Sequence, residues 1–337
     1  MYSKALSHPA LSGKELDGLL DLGVRYLEMG AHSQRGGDPC FTMTDLELLD
    51  LLLEGGALQR AMGQIPPRPG LTLIGLGPGD LGLMTKNAID AAREADYRFL
   101  EGYTATLPPA QEDLLSGFLG DWTMLMRPEV EGPEELLELS GRSSVALLVV
   151  GDPLHATTHV DLLIRARERG IPTLVIPGIS ATSLAVTNSG LQSYRFGRQV
   201  TLPYPYEDYL PTSPMQMMLD NLSNNLHTLV LLDLDPTGMG KDRPIPMNPG
   251  QAVDVLLRMQ NRIGSSDPPA RPTGGHVLDW NCILLSDLGT SSQLIRSGCL
   301  REIANIQSGR IHCMIIPAEM DELEHEAFDA IRIQPSS

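Results

Sequence analysis

Val145-Ala-Leu-Leu-Val-Val150, Gly151-Asp-Pro-Leu-His-Ala-Thr-Thr-His159 and Asp161-Leu-Leu-Ile-Arg-Ala-Arg-Glu-Arg169 follow one another almost without a break. The first is an unbroken apolar run of strand length, and the last spaces its apolar residues along one face of a helix. The middle stretch is polar. The order therefore reads as buried strand, turn, helix. The same order appears on either side. Leu71-Thr-Leu-Ile-Gly75 ends in Ile74-Gly-Leu-Gly-Pro-Gly-Asp80 and leads to a helical pattern at residues 85–95. Thr173-Leu-Val-Ile176 ends in Ile176-Pro-Gly-Ile-Ser-Ala-Thr-Ser183, which opens a helix at residues 180–188. A further strand at 96–101 and a short helix at 134–139 complete an alternation that demands crossover connections and a mostly parallel sheet. In open α/β sheets ligands bind at the carboxyl ends of strands, where these three turns lie.

Working outward, the second half is more mixed. Apolar strands are expected at 199–203, 228–232, 281–285 and 312–316, and helices at 215–221, 249–260 and 319–330. Two Pro- and Gly-containing loops, 235–250 and 264–275, read as surface excursions. Residues 1–69 form a separate piece. Helical patterns at 13–28 and 44–61 flank a polar, Gly-rich 31–39, with Thr44 as N-cap and Glu47 completing a capping box. Gln64-Ile-Pro-Pro-Arg-Pro-Gly70 reads as a linker, since its three prolines deny both helix and ladder. The expected organisation is thus a helical N-terminal extension (1–69) followed by two α/β domains, 70–187 and 188–333. The role of the extension is open, with an accessory or interaction element as the default.

Composition narrows the function classes. The formal net charge of −17 and only four lysines (Lys4, Lys14, Lys86, Lys241) argue against direct nucleic-acid binding, which needs Lys and Arg on the phosphates. No apolar run reaches the ~18 residues of a membrane helix. The N-terminus lacks the apolar core of a signal peptide, so a cytoplasmic location without membrane attachment is expected. Cys40, Cys282, Cys299 and Cys313 form no Cys-x-x-Cys pair and no zinc spacing. No metal is indicated.

The turns carry the chemistry. In Gly75-Leu-Gly-Pro-Gly-Asp80 the third glycine comes one residue too early for a dinucleotide fingerprint, and Pro78 removes a donor that could cradle phosphate. What remains is a strand end stripped of side chains, where a flat ligand can approach the backbone. Asp152, biased to extended backbone by Pro153, can accept hydrogen bonds from hydroxyl or ammonium groups, or only close its turn. Thr157, Thr158 and His159 could cap the next helix. Ser180 could be a simple N-cap, and the amides of its turn could equally hold a carboxylate.

Together the three turns resemble the tetrapyrrole methylase-like superfamily of S-adenosylmethionine-dependent methyltransferases. Within it, Phe99-Leu-Glu-Gly-Tyr-Thr104, the 151–159 stretch, Gly190-Leu-Gln-Ser-Tyr-Arg-Phe-Gly197, Pro211-Thr-Ser-Pro214 and Leu226-His-Thr-Leu-Val-Leu-Leu-Asp233 look like the diphthine synthase branch. The likeness runs from about residue 71 to 317. It implies two α/β domains of the class III methyltransferase type with S-adenosyl-L-methionine between them, commonly in a homodimer. Carried over residue by residue, the cofactor-binding positions fall on Pro78, Asp152, His155, Ser180, Ala181, Leu232, Leu288 and His312. Glu101, Tyr103 and His159 are candidates for catalytic proton handling. Glu101 could instead be a strand-end residue paired with an arginine. The resemblance implies methylation of the modified histidine (3-carboxy-3-aminopropyl-histidine) of translation elongation factor 2, in diphthamide biosynthesis. The alternatives are another methyltransferase of the superfamily, acting on a tetrapyrrole or ribosomal RNA, and a non-catalytic cofactor-binding module acting on the translation factor. Residues 1–69 and 235–250 have no counterpart in the branch.

Overall fold

A computed structural model describes residues 69–206, 209–264 and 275–334. The expected helices at 13–28 and 44–61, and nearly all of the 264–275 loop, lie outside the described residues. Strands β1 (Gly70–Gly75), β2 (Tyr97–Glu101), β3 (Thr123–Leu125), β4 (Ser144–Val149) and β5 (Thr173–Ile176) form one sheet. Its order is β3-β2-β4-β1-β5, and every pairing is parallel.

Both central strands, β1 and β4, are buried along their whole length, which explains their unbroken apolar sequence. Alternate residues serve opposite faces. Leu71, Leu73, Val145, Leu147 and Val149 pack under α4 (Glu134–Ser140) and α5 (Val160–Glu168). Ile74, Ala146 and Leu148 pack under α1 (Lys86–Glu94) and α2 (Pro109–Leu119). The short helix α3 (Arg127–Glu131) follows β3. Thr85 caps α1 by accepting from the Ala88 amide.

A second sheet holds β6 (Val200–Leu202), β7 (Thr228–Leu232), β8 (Asn281–Ser286), β9 (Leu294–Cys299) and β10 (His312–Ile316). Its order is β6-β7-β10-β8-β9, parallel only between β6 and β7. Helices α7 (Ser213–Ser223), α8 (Pro249–Gly264) and α9 (Leu300–Ile303) cover one face, with Met215, Met218, Leu256 and Ile303 wholly buried. The other face takes α10 (Glu322–Ala330) through Phe328, and α6 (Ala181–Asn188) through Ala185. Although α6 follows β5 in the chain, it packs on the second sheet.

A buried polar cluster fastens this half. Glu324 accepts from the Gln192 amide at 2.9 Å and from His227 Nε2 at 3.0 Å, and it pairs with Arg195. His227 Nδ1 in turn accepts from the Ala318 amide at 3.0 Å, so the imidazole is held as the Nε2–H tautomer.

Elements absent from the sequence reading are α2, α3, α9, β3 and β9. The 235–250 excursion carries neither helix nor strand before α8 begins at Pro249.

Candidate active site

Three turns meet at the carboxyl ends of β1, β4 and β5, and glycine makes the meeting possible. Gly77 and Gly151 exchange backbone hydrogen bonds, at 3.2 and 2.7 Å. A Cβ on Gly75 would lie 2.4 Å from Gly178 N, and one on Gly178 would lie 2.1 Å from Gly151 O. No side chain fits between these backbones. Asp152 ties the junction together. Its Oδ1 accepts from Leu154 N at 3.0 Å and its Oδ2 from Gly178 N at 3.2 Å. It does close its own turn, but among the described residues each oxygen accepts one bond and keeps capacity for a ligand donor.

Above this floor lies a cleft of about 190 Å³ between the two sheets. Pro78, Asp152, His155, Ser180, Ala181, Leu232, Leu288 and His312 all line it. Residues separated by more than 230 positions in sequence are therefore brought to one cavity. The two halves touch at its rim, where Pro78 packs against Gly289, itself at φ +74°. Ser180 is the N-cap of α6, accepting from Thr182 N at 3.3 Å. The His155 ring nitrogens lie 3.1 Å from Thr182 Oγ1. Thr157 does not cap α5; its hydroxyl donates back to Pro153 O at 2.8 Å. The N-cap position falls on His159, whose side chain makes no capping bond.

The three catalytic candidates sit outside the cleft. Glu101 accepts from the amides of Tyr103 at 2.9 Å and Thr104 at 2.8 Å, closing the turn after β2 rather than pairing with an arginine. Burial pushes its carboxyl up, against the opposing pull of the Thr104 hydroxyl and these amides. His159 is buried, with Nδ1 2.8 Å from Pro153 O and its ring edge-on to Tyr103 at 6.5 Å. Arg127 stacks over Tyr103 at 5.1 Å.

Sequence reading missed Thr104, Thr106 and Arg310 in the cleft wall. Arg310 bridges the halves, its Nη2 donating to Thr106 Oγ1 at 2.9 Å and Leu107 O at 2.6 Å. The Asp287 carboxylate fixes its backbone by accepting from the amides of Arg310 and Ile311. No motif announces this arginine; only its place just before β10 does.

His312 bonds to Ser286 Oγ at 2.7 Å, and burial holds it below the ordinary imidazole range, with the Asp287 charge opposing. Burial does the same for His227 despite its bond to Glu324. The unfolded chain then takes up these protons first, at about pH 6.5. Stability should be full above that pH, fall as pH drops through it, and level off below the folded pKa values. Thermal melts of the full chain from pH 7.5 to 5 should show a falling Tm. A flat profile through the histidine range would contradict the burial of both rings.

A doubly sheeted α/β chain with its cleft at glycine-lined strand ends defines a class, and residues 70–254 match the family model described as Tetrapyrrole (Corrin/Porphyrin) Methylases. The chain belongs to that family of methyltransferases and, within it, to the diphthine synthases. It is 35% identical over 259 residues to the diphthine synthase of Methanoregula boonei, covering 76% of this chain and 96% of the relative. It is 33% identical over 270 residues to the diphthine methyl ester synthase of Eremothecium gossypii, covering 76% and 88%. A solved diphthine synthase structure superposes with a TM-score of 0.66 at 27% identity, covering 78% of this chain and 95% of that one.

Proposed function

We propose that the chain transfers methyl groups from S-adenosyl-L-methionine to the modified histidine of translation elongation factor 2, in the cytoplasm. The observation that carries this is the gathering of all eight expected cofactor positions on one cleft. The cleft suits the donor. Leu232 and Leu288 offer apolar walls to an adenine. Asp152 retains acceptor capacity for an ammonium or ribose hydroxyl, and the Ser180–Thr182 turn opens α6 toward a carboxylate. When bound, the sulfonium supplies the electrophilic methyl group, and no metal is needed. The protein's tasks are alignment and exclusion of water. A neutral His312 serves the same end, since a protonated ring would repel the sulfonium.

A homodimer fits the same reading. Leu154, Val160 and Ile164 expose apolar surface on the turn after β4 and along α5, with Ile179 on the adjoining turn. Such a patch is suited to a second copy.

Incubating the full chain with S-adenosylmethionine and elongation factor 2 carrying the unmethylated aminocarboxypropyl histidine should add mass in steps of one methyl. Mild alkali separates the products the relatives' names distinguish, because an ester methyl is lost and N-methyl groups remain. No mass gain would sink the proposal.

A further inference from the structure

We propose that the smaller cavity beside the cleft receives the amino-acid head of the methyl acceptor, and that Arg243 and Arg310 hold its carboxylate. This rests on the acceptor reading above. The cavity, about 70 Å³, shares Ala105, Thr106, Val150 and Arg310 with the cofactor cleft. These shared residues are the thin wall between the two cavities, so a group seated in the smaller one lies next to the cofactor cleft. The volume suits the end of a side chain, not a folded segment.

Its charges are those of a zwitterion's partner. Two guanidinium groups, Arg243 and Arg310, and the carboxylate of Glu112 stand among apolar Leu100, Leu107 and Met124. Glu101 also lines the cavity, but its carboxylate is spent on the turn after β2. Arg310 uses Nη2 on Thr106 and Leu107 and, among the described residues, has Nη1 and Nε to offer a ligand. Planar guanidinium groups are well matched to carboxylate recognition.

The residue that was invisible in the sequence is Arg243, because it arrives on the 235–250 excursion. That loop is built to present it. Asp235 accepts from Thr237 N at 2.9 Å, Thr237 Oγ1 at 2.6 Å and Gly240 N at 2.6 Å, folding the loop on itself. Arg127 then docks the fold onto the first half. Its amide donates to Gly240 O at 3.0 Å and its Nη1 to Gly238 O at 3.1 Å. Arg243 Nη2 consequently rests 3.0 Å from Glu112 Oε1, with its side chain 73% exposed. Glu112 is largely covered, but the arginine end of the pair is open to solvent and screened, so the pair adds only modestly to stability. Its partners can therefore be exchanged for those of a ligand, the carboxylate taking Arg243 and the ammonium taking Glu112.

The test uses the full chain, S-adenosylmethionine, and elongation factor 2 bearing the aminocarboxypropyl histidine. Arg243→Ala should raise KM for the elongation factor by about tenfold or more, the scale of a lost charge-assisted contact. Its kcat should stay within about twofold, as expected when binding shared by ground and transition states is removed. S-adenosylhomocysteine affinity, measured by calorimetry, should be unchanged, and Arg243→Lys should recover part of the loss. An unchanged KM in Arg243→Ala, beside a working parent chain, overturns the subsite alone. So does an equal loss of S-adenosylhomocysteine affinity, because the loop would then act on the cofactor cleft. A parent chain that adds no methyl overturns the acceptor reading and the subsite together.

Discussion

Gly178→Ala should cost the protein about 3 kcal/mol or more, at the upper end of overpacking penalties. The added methyl would sit 2.1 Å from Gly151 O and 2.8 Å from Gly75 Cα, both backbone atoms at strand ends. No rotamer change can relieve such contacts. The turns must separate, and the bond from Gly178 N to Asp152 is lost with them. In calorimetry, S-adenosylhomocysteine affinity should fall by at least about 100-fold, which corresponds to roughly 2.7 kcal/mol. Gly117→Ala in α2 is the matched control, since nothing lies within 4 Å of its added methyl. That change should stabilise the chain by up to about 1 kcal/mol through helix propensity. Equal melting temperatures for the two variants would mean that the strand-end junction is not close-packed.

Glu324→Ala should be as damaging, by about 3–5 kcal/mol, because it strands charge and hydrogen-bond donors inside the protein. Burial alone would raise the Glu324 carboxyl, but bonds from the Gln192 and Asp321 amides and from His227 outweigh it and hold it below the ordinary range. Removing the carboxylate takes away the acceptor of His227 Nε2 and of the Gln192 amide and, among the described residues, leaves Arg195 with only its bonds to Asn225 and Glu319 O. The 190–197 segment would then be hydrogen-bonded to α10 and the residues before it only through Asp321 and Glu319. Glu324→Gln keeps an acceptor for one of these donors, so a smaller loss is expected. Denaturant titration of the full chain measures both. A loss under about 1 kcal/mol for the alanine variant would place the cluster in solvent rather than in the interior.

Legibility in the sequence followed burial. β1, β4, β7 and β10 are largely apolar on both faces and end at glycine, proline or polar residues, so composition alone locates them. β9 contains Arg296, Ser297 and Gly298, and it is a strand because β8 lies beside it. β3 has three residues and depends in the same way on β2. α2 exposes Leu114 and contains Gly117, which blurs its apolar stripe. That the eight expected cofactor positions line one cleft was legible because each lies at or beside a motif that follows or forms a strand. Arg310 and Arg243 were not, since their placement depends on how loops fold across the molecule: Arg243 meets Glu112 over 131 residues. Tyr103 and His159 show the opposite case. Both carry reactive chemistry in the sequence, and the fold packs them into the interior.

The glycine junction beneath the cleft has a consequence for how this protein can change. Its donor-facing floor is main chain, and main-chain atoms are the same whatever residue supplies them. In the reading proposed above, part of the choice of acceptor is written elsewhere, on the surface loop that carries Arg243. On that reading the reagent's seat and this part of target selection lie in separate stretches of one gene product, although Arg310 lines both cavities. A chain so divided can acquire a new target by redrafting one loop, while the reagent's seat passes on unaltered.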